Sequence, residues 1–366
     1  MRKPICCATI LFAIWGHSAA AQDLESFRKI YPQADPFLGE QLGETEIEDA
    51  FSLANDLSNT IRRDYVNGSA RRDAHPKAHG CVRASFSVRE DLPAELTAGV
   101  FQPGAQYDAL IRFSNGSPNA AGDDRNGDTR GMAMKLYGVS GAKLFADPAS
   151  PDAQDFIQIS SPYFFVNGSS GYTEFFAIVN KGDLLPMFKI PFILGWQGTI
   201  NAAKMLAQKI PSPLDANYFS VTAYQFGDGD ARVAVKYNTK PCAAAEQTYP
   251  VNGPNYLRHA MQAQLNTTPA CFDFSIQKRP DDSFSTEDTI SVWDEEKAPS
   301  VPVAKITIPV QEFDTAAQNA ACEQTSFNPW HSIATHKPLG TVNRMRRVVY
   351  ETISELRKSM NGGATQ

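Results

Sequence analysis

The chain has 366 residues, 42% of them hydrophobic, and a formal net charge of −6. That length suffices for one large domain or two ordinary ones and for a sizeable core. A mildly acidic chain has no electrostatic reason to seek nucleic acid, which sets that partner class aside.

The N-terminus reads as a secretory signal peptide over residues 1–21. Arg2 and Lys3 form a short basic region, residues 5–15 are mostly apolar, and Ala19-Ala20-Ala21 supplies the small residues of a cleavage site. The apolar run is too short to span a bilayer. Cleavage before Gln22 leaves 345 of the 366 residues, and losing Arg2 and Lys3 takes the formal charge to −8. The expected address is periplasmic or secreted. The remaining four cysteines, Cys81, Cys242, Cys271 and Cys322, permit two disulfides in any of three pairings in such a compartment. Cys242 with Cys271 is preferred, being nearest in sequence. No C-x-x-C is present, which argues against a zinc or thioredoxin-type site.

Residues 45–66 carry helical periodicity. Ile47, Ala50, Phe51, Ala54, Leu57, Ile61 and Tyr65 recur at three- and four-residue steps, behind a Thr45–Glu48 capping-box pattern. From Val82 the period becomes two: Val82, Ala84, Phe86 and Val88 alternate with Arg83, Ser85 and Ser87, a half-buried strand. Further strand-like runs are 109–113, 132–137, 231–237 and 306–310, separated by loops rich in Gly, Pro, Asn and Asp. Asp124-x-Asn126-x-Asp128 has alternating oxygen donors, but its glycine is misplaced and Lys135 stands where a calcium loop needs an acid, so it reads as a solvated turn. Residues 184–200 are apolar, but Lys189, Pro191 and Gln197 interrupt them. They read as a buried or partly exposed hairpin, with 188–196 either lining an apolar channel or forming core. No later stretch is an integral membrane segment. Helical patterns return at 256–265 and 342–359, and residues 361–366 read as a disordered tail. The fold class expected is α+β, an antiparallel sheet or barrel with flanking helices. Residues 22–360 are taken as a single domain.

Two clusters carry chemistry. In the C-terminal helix Arg346 and Tyr350 are four apart and share a face, and Arg357, seven further on, points roughly the same way. A tyrosine bracketed by guanidinium groups is favoured as phenolate, a hard anionic donor suited to ferric iron. The same pattern also fits a solvated basic helix. The second cluster is Arg72-Asp-Ala-His75-Pro-Lys77-Ala-His79, just before the first strand. Pro76 argues against a helical His75–His79 metal pair.

With Phe86 and Val88, the Arg72–His75–Lys77 segment resembles the distal haem segment of catalases. Arg112-Phe-Ser-Asn115, Asp128-Thr-Arg-Gly-Met-Ala-Met-Lys135 and Ser160-Ser-Pro-Tyr-Phe164-Phe165 resemble three further catalase segments, in the same order. Arg346-x-x-x-Tyr350 with Arg357 resembles the proximal haem-ligand helix. His-Pro-Lys-x-His-Gly-Cys, Phe-Asn-Pro-Trp-His331 and Pro-Leu-Gly340 look more like the divergent small catalase and catalase-related peroxidase branch, in a superfamily that also includes coral allene oxide synthase. The resemblance implies a catalase-like antiparallel β-barrel core and haem b with ferric iron, bound through Tyr350; a tyrosine ligand is a known property of catalase. It implies Arg346 as the partner of the phenolate and Arg72, Arg112 and Arg357 as candidates for the propionates. It implies His75 as the distal acid–base residue, Ser160 in the place of a peroxide-orienting asparagine, and Phe164 and Phe165 as pocket walls. The segment from His75 to Phe86 is one residue longer than the catalase pattern, which implies a β-bulge or a register in which His79 takes the distal place. His259, His331 and His336 are expected to be structural. The activity implied is that of a catalase or peroxidase acting on hydrogen peroxide or organic hydroperoxides, with an unidentified electron donor. The alternatives are a hydroperoxide isomerase of the allene oxide synthase kind and a haem-binding protein without turnover. The pattern leaves open whether the chain is a monomer or a homo-oligomer.

Overall fold

The computed structural model describes residues 23–66, 69–72, 74–181, 187–243 and 250–362. The expected signal peptide lies outside the described residues. In chain order the helices are α1 Leu24–Ile30, α2 Glu46–Asp64, α3 Ser169–Lys181, α4 Ile190–Ala207, α5 Tyr256–Leu265, α6 Ala316–Gln324 and α7 Thr341–Gly362. The strands are β1 Ala78–Val88, β2 Gln106–Asn115, β3 Arg130–Leu136, β4 Gln154–Ile159, β5 Tyr218–Phe219, β6 Tyr224–Phe226, β7 Val233–Pro241, β8 Ala270–Lys278 and β9 Ser300–Ile308.

All strand pairings are antiparallel, in the order β5-β4-β3-β2-β1-β9-β8-β7-β6, and β5 also pairs with β7. That last pairing, Tyr218 with Thr239 and Phe219 with Asn238, closes eight strands into a barrel, with β6 continuing β5 along the same edge of β7. Closure removes the sheet edges that would otherwise template aggregation. The alternation along each strand sends one face inward: Val82, Phe86, Ile111, Phe113, Phe156, Tyr237, Phe272, Phe274 and Ile306 are buried in one cluster. Phe86 packs edge-on to Phe274 and stacks with Phe156, so aromatic rings fill the barrel and no through-channel is left there.

A helical layer packs beside this barrel. Leu53, Ala54, Leu57 and Ile61 of α2 meet Met345, Val348, Val349 and Ile353 of α7 in a second apolar cluster. The period-3.6 stripe of α2 is therefore its contact with α7. Thr45 precedes α2 but makes no cap to its backbone; its hydroxyl donates to Asp49 instead.

Four expectations change. Residues 184–200 were expected as a hairpin; the described part from Ile190 is helix α4, broken at Gly195, where φ is +65° and glycine carries no Cβ penalty. Residues 188–196 are neither core nor channel lining along their outer side, as Phe188, Phe192 and Trp196 are exposed. The tail begins later than expected: α7 continues through Gly362, because the Asn361 side chain pairs with both backbone groups of Ala70. The Asp124–Asp128 loop is a solvated turn only in part, at exposed Arg125 and Asn126. Asp124 is fully buried, ion-paired with Lys77, and accepts from Asn115 and the Leu257 amide. Among the described residues no cluster of His, Cys, Asp or Glu is arranged to hold a metal ion.

Both disulfides form. Cys242–Cys271 ties β8 to the residue after β7, and Cys81–Cys322 ties β1 to α6 across 241 residues.

Candidate functional site: a cleft between barrel and helices

The cleft begins with the anchoring of α7. Arg344, on its first turn, is fully buried and bonds Glu46, Glu40, Glu287 and the Gln41 carbonyl. Burial opposes its charge, but the surrounding glutamates outweigh that and hold its pKa above the ordinary arginine value. Arg346, two residues on, lies some 200° around the helix and so faces the other way. Arg346, Tyr350 and Arg357 all line one cleft of about 1240 Å³, its open mouth included. Arg346 is half-buried; desolvation works against its charge, while the nearby phenols, Tyr350 first, raise its pKa overall.

Across the cleft stands the barrel wall, made by Arg112 and Ser114 of β2, Gly131 to Ala133 of β3 and residues 157–159 of β4. His75, in the segment leading to β1, lies against this wall with its Nδ1 3.1 Å from Ser114 Oγ. Two features hold it there. Its carbonyl accepts from Arg112 at 2.8 Å. A Cβ on Gly131 would fall 2.6 Å from His75 Nδ1, so only glycine leaves room for the ring. His75 also sits at φ +58°, a strained conformation for a non-glycine residue and one that concentrates at functional sites. Burial, then Arg112 and Arg346, push its pKa down to about 4, so the imidazole is neutral near pH 7.

The bulge accounts for the extra residue before Phe86. Ala78 pairs with Ser114 and Gly80 with Phe113, leaving His79 unmatched. His79 is turned into a buried polar cluster, its Nε2 2.8 Å from Asn115 Oδ1, and is not among the cleft's lining residues.

Two guanidinium groups of the cleft converge on one carboxylate, and a third, Arg112, lines the same cleft without an ion-pair partner among the described residues. Arg72 is 3.0 Å and Arg357 2.7 Å from Glu323 Oε1. Arg112 is buried, and its Nε has no hydrogen-bond partner among the described residues. Burial, then the Arg72 charge, holds its pKa well below the ordinary value. Glu323 belongs to α6, next to Cys322, so the Cys81–Cys322 disulfide fixes the carboxylate to the barrel. Leu53, Leu57, Tyr172, Phe176, Phe327, Val349 and Ile353 make the remaining walls largely apolar.

Of the residues singled out in the sequence, Arg72, His75, Arg112, Arg346, Tyr350 and Arg357 thus meet in one cleft. Ser160, Phe164 and Phe165 do not line it. The Ser160 hydroxyl donates to Gln208 and accepts from the Arg130 amide, a strand-end role. Phe164 borders a smaller neighbouring cavity with Arg346 and stacks on Tyr172, and Phe165 packs behind Phe164 against Phe175. His331 pairs with buried Asp155 and His336 accepts from the Val100 amide, both structural contacts. Sequence reasoning missed Ser114, Gly131 and Glu323. The first two lie inside quoted segments, but nothing in the sequence says that they touch His75.

No family model matches the chain. Among solved structures it is similar to a fungal catalase, at TM-score 0.57 and 16% identity over 80% of this chain and 60% of that one. It is also similar to catalase A from Saccharomyces cerevisiae, at TM-score 0.60 and 17% identity over 82% and 64% of the two chains. At these identities the likeness shows the fold, a catalase-type barrel with its helices. In sequence the chain is 28% identical over 293 residues to a catalase-related peroxidase of Mycolicibacterium paratuberculosis, covering 77% of this chain and 88% of that protein. It is 24% identical over 280 residues to catalase isozyme 1 of Solanum lycopersicum, covering 69% and 53%. The chain is thus similar in sequence to a catalase-related peroxidase and to a plant catalase, and shares the fold of solved catalases. It spans about half the length of the plant catalase and less than two thirds of the solved catalases.

Proposed function

We propose that this chain is a haem-dependent oxidoreductase acting on hydrogen peroxide or organic hydroperoxides. The observation that carries the reading is the meeting, in one apolar cleft, of His75 on the barrel wall, Tyr350 on α7 and a cluster of arginines that includes buried Arg112. A flat apolar molecule bearing two carboxylates fits that set. Arg72 and Arg357 share one carboxylate, and buried Arg112 keeps an orphaned N–H. Haem b meets the description, with Tyr350 as its iron ligand and Arg72, Arg112 and Arg357 toward its propionates. When bound, the haem iron supplies the redox chemistry of O–O cleavage.

The chain's own residues prepare the proton movements. Ser114 engages His75 Nδ1, which leaves Nε2 as the nitrogen for exchange with substrate. Because His75 is neutral near pH 7, Nε2 can accept a proton from one peroxide oxygen and return it to the departing one. Arg346 provides the fixed positive partner of a Tyr350 phenolate. The apolar walls limit water. The leader read from residues 1–21, with two disulfides in the fold, supports a periplasmic or secreted address.

The test is an absorption spectrum of the protein expressed with haem, beside Tyr350→Phe and His75→Ala. Wild type is expected to show a Soret band with high-spin ferric features, lost or clearly shifted in Tyr350→Phe. His75→Ala is expected to keep the haem and lose peroxide turnover by a factor of about 10² or more. An unchanged Tyr350→Phe spectrum removes the ligand assignment. Unchanged turnover in His75→Ala, or none in wild type, turns the reading toward haem binding without catalysis. Conversion of a lipid hydroperoxide without consumption of a donor turns it toward isomerisation.

A further inference from the structure

We infer that the outer side of α4 is a membrane-surface docking face whose occupant is an anionic phospholipid bilayer. The helix is apolar on both sides. Its inner side, Leu194, Gly198, Asn201 and Met205, is buried in the fold. Asn201 donates to the carbonyls of Phe164 and Ile290, and a Cβ at Gly198 would fall 2.3 Å from the Phe165 carbonyl oxygen. The helix is thus firmly seated, and its other side cannot turn inward without breaking those contacts. Away from those contacts Phe192 is 88% and Trp196 82% exposed, on either side of the Gly195 break, joined by Leu206 and, just before the helix, by Met187 and Phe188, the latter 77% exposed. A helix that is apolar all round is ordinarily buried or in lipid, and these side chains are exposed among the described residues.

Area and charge select the bilayer over a protein partner. Three aromatic rings at this exposure leave roughly 500 Å² of apolar surface, given about 150–250 Å² per ring. A stable protein interface takes about 800 Å² from each side. A bilayer asks for no matching partner surface, and Trp and Phe beside Lys are the residues that settle at its headgroup boundary. In a chain of net charge −6, residues 184–214 carry Lys189, Lys204 and Lys209 and no acidic residue. That local excess complements an anionic leaflet. No helix among the described residues is long and apolar enough to cross a membrane, so α4 lies in the surface rather than across it.

The test uses the chain from Gln22 to Gln366, since all described elements lie after residue 22 and the apolar leader would itself bind lipid. It is mixed with vesicles of phosphatidylcholine and phosphatidylglycerol (70:30) and with pure phosphatidylcholine vesicles, without peroxide. Sedimentation with the anionic vesicles is expected, weaker with neutral ones and weakened by salt. It should come with a blue shift of Trp196 emission, because Trp293 and Trp330 are buried. The triple variant Phe188→Ala, Phe192→Ala, Trp196→Ala should lose at least tenfold in vesicle partition. Should that variant not fold, Lys189→Glu with Lys204→Glu carries the test, with several-fold loss on anionic vesicles alone. Wild type remaining in the supernatant overturns the inference. So does binding indifferent to these substitutions, or a concentration-dependent dimer that the triple variant abolishes, which would give the face to a second copy.

Discussion

Helix α7 carries two buried arginine sites that differ in one respect. At its start Arg344 is met by three carboxylates, Glu40, Glu46 and Glu287, and every nitrogen of its guanidinium is engaged. Along its other face and across the cleft, Arg72 and Arg357 share the single carboxylate of Glu323, and buried Arg112 is in no ion pair among the described residues. Burial alone does not separate the two, since Arg344 and Arg112 are both inaccessible. Charge balance does. A saturated site is finished as folded and fixes where the helix sits. An unsaturated one bears a standing desolvation cost that an anionic ligand offsets.

The comparison predicts opposite responses to removing one arginine from each site. Arg344→Met leaves two buried carboxylates, Glu40 and Glu46, and half-buried Glu287 without their partner, and is expected to lower folding stability by about 3–5 kcal/mol. A urea denaturation midpoint measures it, and a loss under about 1 kcal/mol would show that the glutamates find other partners. Arg112→Leu removes a buried charge that lacks compensation. Stability of the haem-free chain is expected to stay within about 1 kcal/mol of wild type, or to rise. Haem affinity, read by titration at the Soret band, is expected to fall about 10- to 100-fold, the worth of one charge-assisted hydrogen bond. An Arg112→Leu chain that unfolds yet keeps haem affinity when refolded would reverse the distinction.

The same contrast explains what could be read from the sequence. Arg346, Tyr350 and Arg357 share a helix face by arithmetic, and the alternation from Val82 names the inward face of β1, so the cleft's two sides were legible separately. Their meeting was not legible from periodicity, and only the resemblance to catalases implied it. That meeting depends on barrel closure through the two-residue strand β5, which has too few residues to show a period. Glu323 was invisible because its role comes from Cys322 beside it and from two arginines 251 and 34 positions away in sequence. Ser160 was misplaced because a motif match gives chain position, not the direction of a side chain at a strand end. Residues 124–128 looked solvated because their composition is polar, yet Lys77 makes a buried Asp124 tolerable. Buried charge is hard to foresee when its partner lies far along the chain.

The smallest expected effect concerns pH and tests whether the unsaturated arginines act on His75 as charges. In the folded chain the His75 pKa is about 4, against an ordinary 6.5, with burial, Arg112 and Arg346 as causes in that order. The unfolded chain therefore binds the extra proton first. Between about pH 6.5 and pH 4 stability falls as pH falls, and above that window the contribution is constant. His336, pushed down to about 3 by burial, acts in the same direction and is left untouched by changes in the cleft. Arg112→Leu removes one repelling charge from His75, so its folded pKa should rise toward the ordinary value. The stability difference between pH 7 and pH 5 should then shrink relative to wild type. Denaturation midpoints of both proteins at the two pH values provide the measurement. An equal difference in the two would mean that burial alone sets the protonation of His75, and that the arginine cluster serves the ligand without tuning the base.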